Sequence, residues 1–323
     1  MSVTLPTGKS PGPDENWISE SDKALSLLKS NAPEQRLDIQ MPYSQYLKLE
    51  ESWSNIKSDT YSEDKGYPRL SYNSVTETVT VVTVPRNLHE VAASELRRQI
   101  MNGIVEHLSH HSPESLGRIV DAGSSNVRGS GGGYEHSVKQ ADGLFQYIGP
   151  GAGPATVAFE VGFSQNYDSL LGNKDMWIQG CHAKAFSTIS NPTEPVENIG
   201  DVAAEKAAMT LHALATVPLD GSYFPQIRYR DHVWAGGVTE AFIEVWRADG
   251  YEKFPLIEDR RPHHILTTTL GLHVSDFFED DAWQALGIED LNIPFDGTLY
   301  LTLLKGGMVK LAEGRFADFI TTQ

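Results

Sequence analysis

Cysteine is almost absent from this chain. Cys181 is the one cysteine among 323 residues, which excludes an internal disulfide and any zinc site built from several cysteines. A single thiol also suits a reducing compartment. We expect Cys181 to be a small, buried, apolar residue.

Positive charge is scarce as well. The chain has 26 lysines and arginines against 43 aspartates and glutamates, which gives a formal net charge of −17. This balance argues against a broad basic surface, and so against tight, sequence-independent binding of nucleic acid through its phosphates. Local basic patches and a protein partner are both compatible with it.

Long apolar runs are missing. No run approaches the roughly 20 residues that span a bilayer, and the N-terminal MSVTLPTGKSPGPDENW has no apolar signal-peptide core. The sequence therefore predicts a soluble intracellular protein, cytoplasmic or nuclear, that is not secreted and has no membrane partner.

Familiar motifs of hydrolases and nucleotide-binding proteins are missing too. The chain has no GxSxG nucleophile elbow, and no cysteine and histidine in a recognisable catalytic setting. Residues 7–10 look like the end of a phosphate-binding loop, but Val3 stands where that loop needs its first glycine. Hydrolases of those kinds therefore have little support.

The patterns that are present predict an α/β protein. Apolar residues recur every four positions from Leu88 to Leu108, which is typical of a long helix. The run VTETVTVVTV at 75–84 alternates in the way of a strand. The same reasoning predicts further strands at 118–122, 238–247, 265–274 and 298–304, helices at 20–30, 41–56, 201–215 and 305–320, and a flexible loop at 123–137.

These elements suggest one α/β domain with additions at both ends. Residues 1–18 are rich in proline, glycine, serine and aspartate, and they have little to bury. We predict a disordered arm at 1–18, a peripheral helical cap at 19–74, the core at 75–190 and an α/β extension of the same domain at 191–323.

Two carboxylates stand out in the core. Asp142 opens a short strand-like run, and Glu160 lies within the buried strand-like run TVAFEVGF. A buried charge is costly unless a cation or hydrogen-bond donors compensate it. The turn-rich GPGAGP between the two residues predicts a hairpin, so a divalent metal shared by Asp142 and Glu160 would be the simplest partner. An ordinary turn residue at Asp142, and a Glu160 bonded to backbone amides, are the alternatives.

A resemblance joins these residues to the start of the long helix. Three segments carry it: Leu88-His89-Glu90, Lys139 to Phe145, and Val157 to Gln165, with a helix ending at Trp177 after them. This series resembles a group of fungal proteins that look like members of the PD-(D/E)XK nuclease superfamily, also called restriction-endonuclease-like. The resemblance spans residues 75–190, and it implies a restriction-endonuclease-like core. Such a core has a central mixed β-sheet flanked by helices, here with N- and C-terminal helical elaborations.

The resemblance also assigns roles. Asp142 would be the motif aspartate, Glu160 the motif acid and Glu90 an additional carboxylate, whereas the motif lysine position holds Gly162. The missing charge would then come from Lys139 or Lys174, with Lys184 a weaker choice.

The reaction that this implies is metal-assisted hydrolysis of phosphodiester bonds in DNA or RNA. Asp142, Glu160 and the carbonyl oxygen of Val161 would hold Mg²⁺ (or Mn²⁺), since hard oxygen ligands suit those ions. Gln165 and His89 would contact the bound strand. A catalytically degenerate fold that acts as a binding or scaffold module is the alternative, favoured by Gly162 and by the acidic balance.

Overall fold

The structure of the protein is a computed structural model. In it the chain folds into two compact units, residues 1–84 and residues 85–323. The boundary falls after Val84, later than the predicted boundary after residue 74, so the strand predicted at 75–84 belongs to the first unit. The described residues are 13–30, 35–60, 68–83, 87–150, 152, 156–162, 167–190, 215–217, 222–224, 226–229, 232–264 and 268–322.

Both units contain helices and strands. The helices are α1 Pro13–Lys29, α2 Tyr43–Thr60, α3 Asn87–His111, α4 Pro113–Leu116, α5 Tyr167–Asp175, α6 Asp280–Leu286 and α7 Gly297–Thr322. The strands are β1 Arg36–Gln40, β2 Arg69–Asn73, β3 Thr78–Val82, β4 Ile119–Gly123, β5 Asn126–Arg128, β6 Val138–Gln140, β7 Gly143–Tyr147, β8 Val157–Gly162, β9 Ala185–Ser190, β10 Ala215–Val217, β11 Gln226–Tyr229, β12 His232–Ala235, β13 Ala241–Arg247, β14 Gly250–Glu258, β15 Arg261–Pro262, β16 Thr269–His273 and β17 Asn292–Pro294.

The first unit combines helices with strands, whereas the sequence predicted a purely helical cap. Its strand β3 pairs antiparallel with β1 on one side and β2 on the other. The alternation in β3 buries Val79 and Val81, as a half-buried strand requires. Leu28 of α1 and Trp53 of α2 are also buried.

Helix α1 begins earlier than the sequence suggested. It starts at Pro13, so residues 13–18 are helical and the predicted disordered arm is wrong for that part. Proline suits the first helical position because its φ is already helical and its missing N–H has no partner to lose there.

The second unit is built on a mixed sheet, so the predicted α/β class is confirmed. Its strand order is β15-β14-β13-β9-β8-β7-β4. Strands β8 and β9 run parallel, while the neighbouring pairs β7–β8 and β9–β13 are antiparallel. A parallel pair needs a crossover connection, and α5 lies in that connection.

Both faces of the central strand β8 are covered. Phe159 and Val161 pack in one apolar cluster with residues of α3 and α7. Ala158 packs in another cluster with Trp177 and Phe186. Burial on both faces explains why β8 is continuously apolar except at Glu160.

Most predicted elements of the second unit are found, with three differences. The long helix predicted from the repeat between Leu88 and Leu108 corresponds to α3, and the strands predicted at 118–122, 238–247 and 265–274 correspond to β4, β13 and β16. The predicted loop at 123–137 contains β5, and the strand predicted at 298–304 is the first part of α7. Residues 201–214 of the predicted alanine-rich helix lie outside the described residues, and Ala215 begins β10.

The error at 298–304 has a physical cause. Short apolar runs suit a strand or a buried helix equally well. Here the buried residues are Leu301, Leu304, Met308 and Leu311, whose spacing of three and four residues belongs to a helix face. Across the described part of the chain, no helix is long and apolar enough to cross a membrane.

Two adjacent glycines of α7 test the packing of this helix on α3. A Cβ at Gly306 would meet nothing within 4 Å, whereas one at Gly307 would lie 2.9 Å from Leu88 Cδ1. We expect Gly306→Ala to raise the free energy of unfolding by about 0.5–1 kcal/mol through helix propensity. Gly307→Ala should lower it by about 1–3 kcal/mol through overpacking. Urea unfolding measures both, and equal effects would contradict the observed packing.

The single thiol gives a second test of the core. Cys181 is fully buried, and burial raises the pKa of its thiol to about 12. Because the thiolate is the reactive form, iodoacetamide at about pH 8 should leave folded protein unmodified and modify it rapidly in urea. Mass spectrometry reads the result. Rapid alkylation of the folded protein would show that the cluster around Cys181 is open.

Candidate functional site

The hairpin of β7 and β8 brings Asp142 beside the central strand. Gly143 pairs with Phe159, and the N–H of Asp142, the residue before β7, donates to the carbonyl of Phe159 at 3.2 Å. The Asp142 carboxylate is buried, and its Oδ2 accepts the N–H of Val161 at 2.7 Å. Asp142 is therefore tied to the backbone on either side of Glu160, as the hairpin prediction required.

His89, in the first turn of α3, reaches the same carboxylate. Its Nε2 lies 3.1 Å from Asp142 Oδ2, and its Nδ1 lies 3.8 Å from Glu90 Oε1. An ionised carboxylate only accepts hydrogen bonds, so Nε2 carries the hydrogen in this contact. Glu90 itself is exposed, and it adjoins the site through His89. The structure thus places His89 on Asp142, a contact that its position at the start of a helix did not reveal.

Glu160 is surrounded by donors from three segments. Its side chain is about as buried as that of Asp142, at 6% exposed. Oε1 accepts the indole N–H of Trp177 at 2.9 Å and lies 3.3 Å from Lys139 Nζ, while Oε2 accepts the amide N–H of Asn173. These side chains supply the compensation that the sequence assigned to a metal or to backbone amides. Burial of Glu160 therefore does not by itself require a metal.

Two of these donors, Asn173 and Trp177, were not predicted from the sequence. Asn173 and Trp177 are separated by four residues, a spacing that places them on one side of the helix over β8. The helix α5 continues as a π-helical turn, Met176–Gly180, and such turns often mark functional sites. The spacing was visible in the sequence, but which side of the helix would face Glu160 was not.

The structure separates the three candidate lysines. Lys139, in β6, is 14% exposed and contacts Glu160. Lys174 instead lies 3.1 Å from Asp175 Oδ1, with its ammonium over the Trp246 ring. Lys184 pairs with Asp280. Within the described part of the chain, Lys139 is the candidate that reaches the acid.

Position 162, where the resemblance calls for a lysine, has little room for a side chain. Gly162 is buried, and a Cβ there would lie 2.8 Å from Leu170 Cδ1. Leu170 belongs to α5 and is itself fully buried. A side chain at 162 would therefore require Leu170 to move, and the lysine that contacts Glu160 comes from another segment, β6.

Glu160 keeps one acceptor site that a hard divalent ion could occupy. A carboxylate offers about four lone-pair sites, and among the described residues Glu160 has three donors, which leaves Oε2 one site. Mg²⁺ commonly takes one or two protein carboxylates and keeps several waters. His, Cys, Asp and Glu side chains form no group of three that could hold a metal within the residues described. Water and substrate would thus have to complete the shell.

The structure shows contacts of the other predicted metal ligands, Val161 and Glu90, that do not test whether they bind a metal. Val161 donates its N–H to Asp142, and ligation by its carbonyl oxygen stays a prediction. So does ligation by Glu90, whose carboxylate adjoins His89. Gln165, predicted to contact substrate, lies outside the described residues.

Comparison with known proteins does not assign a function to these residues. No protein-family model matches the chain, and no curated protein matches it. The assignment of a function therefore depends on the contacts of Asp142, Glu160 and Lys139.

The contact between Lys139 and Glu160 predicts a large effect on stability. Lys139→Met leaves a buried carboxylate without its ammonium partner, so the free energy of unfolding should fall by about 3 kcal/mol. Adding Glu160→Gln removes the uncompensated charge and should restore much of this loss. Urea unfolding of both variants measures the coupling between the two residues.

Lys174→Met is the matched control. Its ion pair with Asp175 is partly exposed, so this change should cost at most about 1 kcal/mol. If Lys139→Met and Lys174→Met cost the same, the Lys139 contact would not compensate Glu160.

Proposed function

We propose that residues 85–323 form a metal-dependent hydrolase of phosphodiester bonds in DNA or RNA, built on a restriction-endonuclease-like core. One observation carries the proposal: the ammonium of Lys139 lies 3.3 Å from the carboxylate of Glu160. The hairpin places Asp142 next to the same segment of β8. A lysine thus reaches the acid of β8, although Gly162 stands where the resemblance calls for lysine.

The arrangement of the second unit supports this choice. The resemblance calls for a mixed sheet flanked by helices, with the acid on a central strand. The sheet around β8 is mixed, and a helix lies on each face of that strand. The helix α3 brings His89 and Glu90 to the site at its N-terminal turn.

Each side chain has a distinct task in the proposed reaction. Asp142 and Glu160 would hold the ion, which when bound supplies an activated water and neutralises charge on the phosphate. Lys139 would place its ammonium where negative charge develops on the phosphate.

Further residues hold these groups in position. His89 fixes the carboxylate of Asp142, while Asn173 and Trp177 orient Glu160. Groups that ligate metals depend on such outer contacts for their orientation, and loss of one typically costs 10–100-fold in affinity or activity, roughly.

A cleavage assay tests the proposal. Purified protein would be incubated with supercoiled plasmid or single-stranded RNA in Mg²⁺ or Mn²⁺. Asp142→Asn and Glu160→Gln should each lower the rate at least about 10²-fold, because the ion loses a ligand. Lys139→Met should lower it to a similar extent, about 10²–10³-fold, through loss of transition-state stabilisation.

Lys174→Met serves again as the control and should leave the rate unchanged. Circular dichroism establishes that each variant is folded before its rate is compared. Cleavage that persists in Asp142→Asn would reject this site.

A second candidate function, a binding module without catalysis, is favoured by one specific observation. Both oxygens of Glu160 already accept hydrogen bonds from α5 and the π-helical turn, and Leu170 closes the space at Gly162. This arrangement stabilises the apo site as it stands. Isothermal titration with Mg²⁺ separates the two functions: ion binding that Asp142→Asn abolishes supports the hydrolase, and absence of both binding and cleavage supports the binding module.

A further inference from the structure

The edge of the large sheet carries a short run of basic residues. Strand β14 turns into β15 within the sequence EDRRPHH, residues 258–264, which we call the basic hairpin. Glu258 pairs with Arg261, so the turn between the two strands consists of Asp259 and Arg260. In a chain of net charge −17, two adjacent arginines followed by two histidines form a local exception.

The backbone of this turn is unusual for its sequence. Asp259 has φ 46° and Arg260 has φ 67°, as in a two-residue turn of type I′. Such turns favour Asn-Gly or Asp-Gly, because glycine adopts positive φ without steric cost. Arginine at the second position carries that cost. What it adds over glycine is a charged guanidinium.

Neighbouring backbone holds the turn in this conformation. The N–H of Arg260 donates to the carbonyl of Thr239 at 2.9 Å, and its carbonyl accepts the N–H of Tyr223 at 2.8 Å. The tip of the basic hairpin is thus fixed on both sides. A charged group presented from it would be held in place before a ligand arrives, which lowers the entropic cost of binding.

The basic hairpin also lines a cavity. Its volume is about 650 Å³, and its walls include Arg260, Arg261 and His264. Cavities that bind small ligands or parts of larger ones have volumes of about 300–1,000 Å³. Arg261 is exposed and makes no ion pair within the described part of the chain.

Charges of both signs surround this cavity. Glu258 and Asp259 also line it, and they oppose the two arginines. Glu258 faces His263, with Oε2 4.0 Å from Nε2. The ring of His263 lies 4.3 Å from that of His264. The histidines thus engage Glu258 and each other, and both arginines line the cavity beside them.

We propose that the basic hairpin binds a phosphate group of a nucleic-acid backbone, through Arg260 and Arg261. The planar fork of a guanidinium matches two phosphate oxygens, which makes arginine the preferred side chain for this group. This inference rests on the proposed function, because the hairpin would bring an acidic protein to a polyanionic substrate. Its position at the edge of the sheet that contains Glu160 places it in the same unit as the candidate site.

Binding to a fluorescein-labelled DNA oligonucleotide, followed by anisotropy over a range of NaCl concentrations, tests this. The full chain would be compared with Arg260→Gly, Arg261→Ala and the double variant. Each substitution should weaken binding several-fold and lower the slope of log K against log salt by about one. Arg118→Ala is the matched control, because it removes the same charge from an exposed arginine that precedes β4 at the opposite edge of the sheet.

The melting temperature of Arg260→Gly separates the effect of the arginine charge on binding from the effect of positive φ on stability. Arg260→Gly relieves the positive-φ cost, so its melting temperature should rise while its affinity falls. A purely structural arginine would give a fall in melting temperature and no change in affinity, and that result would overturn the proposal. Equal weakening by Arg118→Ala would overturn it too, since only net charge would then matter.

The source of the phosphate is tested by competition. Sodium phosphate should displace the oligonucleotide more strongly than NaCl at equal ionic strength, and the double variant should lose this difference. Displacement that is the same for both salts would overturn the phosphate site. Phosphate binding without oligonucleotide binding would overturn the assignment to nucleic acid.

Separate measurements test phosphate binding by the basic hairpin and hydrolysis at Asp142. Asp142→Asn should abolish cleavage and leave the salt slope unchanged, because it lies outside the basic hairpin. Loss of oligonucleotide binding in the arginine variants would therefore support the hairpin even if no variant cleaves. Cleavage that depends on Asp142 but not on either arginine would retain the hydrolase and reject the hairpin.

Discussion

The charge of Glu160, buried in the central strand of a sheet, is the constraint on which the site depends. An isolated carboxylate in that position would be strongly unfavourable. Lys139 from β6, Asn173 from α5 and Trp177 from the π-helical turn each supply one donor. Three segments of the chain must therefore meet at one carboxylate. Moving any one of these segments removes a donor from a buried charge, which is unfavourable.

The topology of the sheet decides which residues meet there. Because β8 and β9 run parallel, the chain between them has to cross over the sheet, and α5 lies on this path. The crossover brings Asn173 and Trp177 to the acid, and it brings Leu170 against Gly162. The same packing that compensates Glu160 thus crowds position 162. Lys139 reaches Glu160 from the hairpin of β5 and β6.

Local charge rather than net charge governs what this protein could bind. The chain as a whole is strongly acidic, which disfavours a polyanion at long range. At distances of a few ångströms, however, single cations dominate, because screening and the falling Coulomb energy limit distant charges. Lys139 at Glu160 and the arginines of the basic hairpin are such cations. Glu160 sets the opposite potential close to Lys139.

The amino-acid sequence determined the local features of this protein: the α/β class, the long helix α3, the hairpin of β7 and β8, and a buried acid that needs a partner. Those follow from periodicity, turn residues and the cost of burying charge, which act within a few residues. Only the tertiary structure decided that Lys139, not Lys174, reaches Glu160, that His89 bonds Asp142, and that residues 298–304 are helical. Contacts between residues far apart in the chain depend on how the helices pack on the sheet, and a local pattern cannot specify that packing.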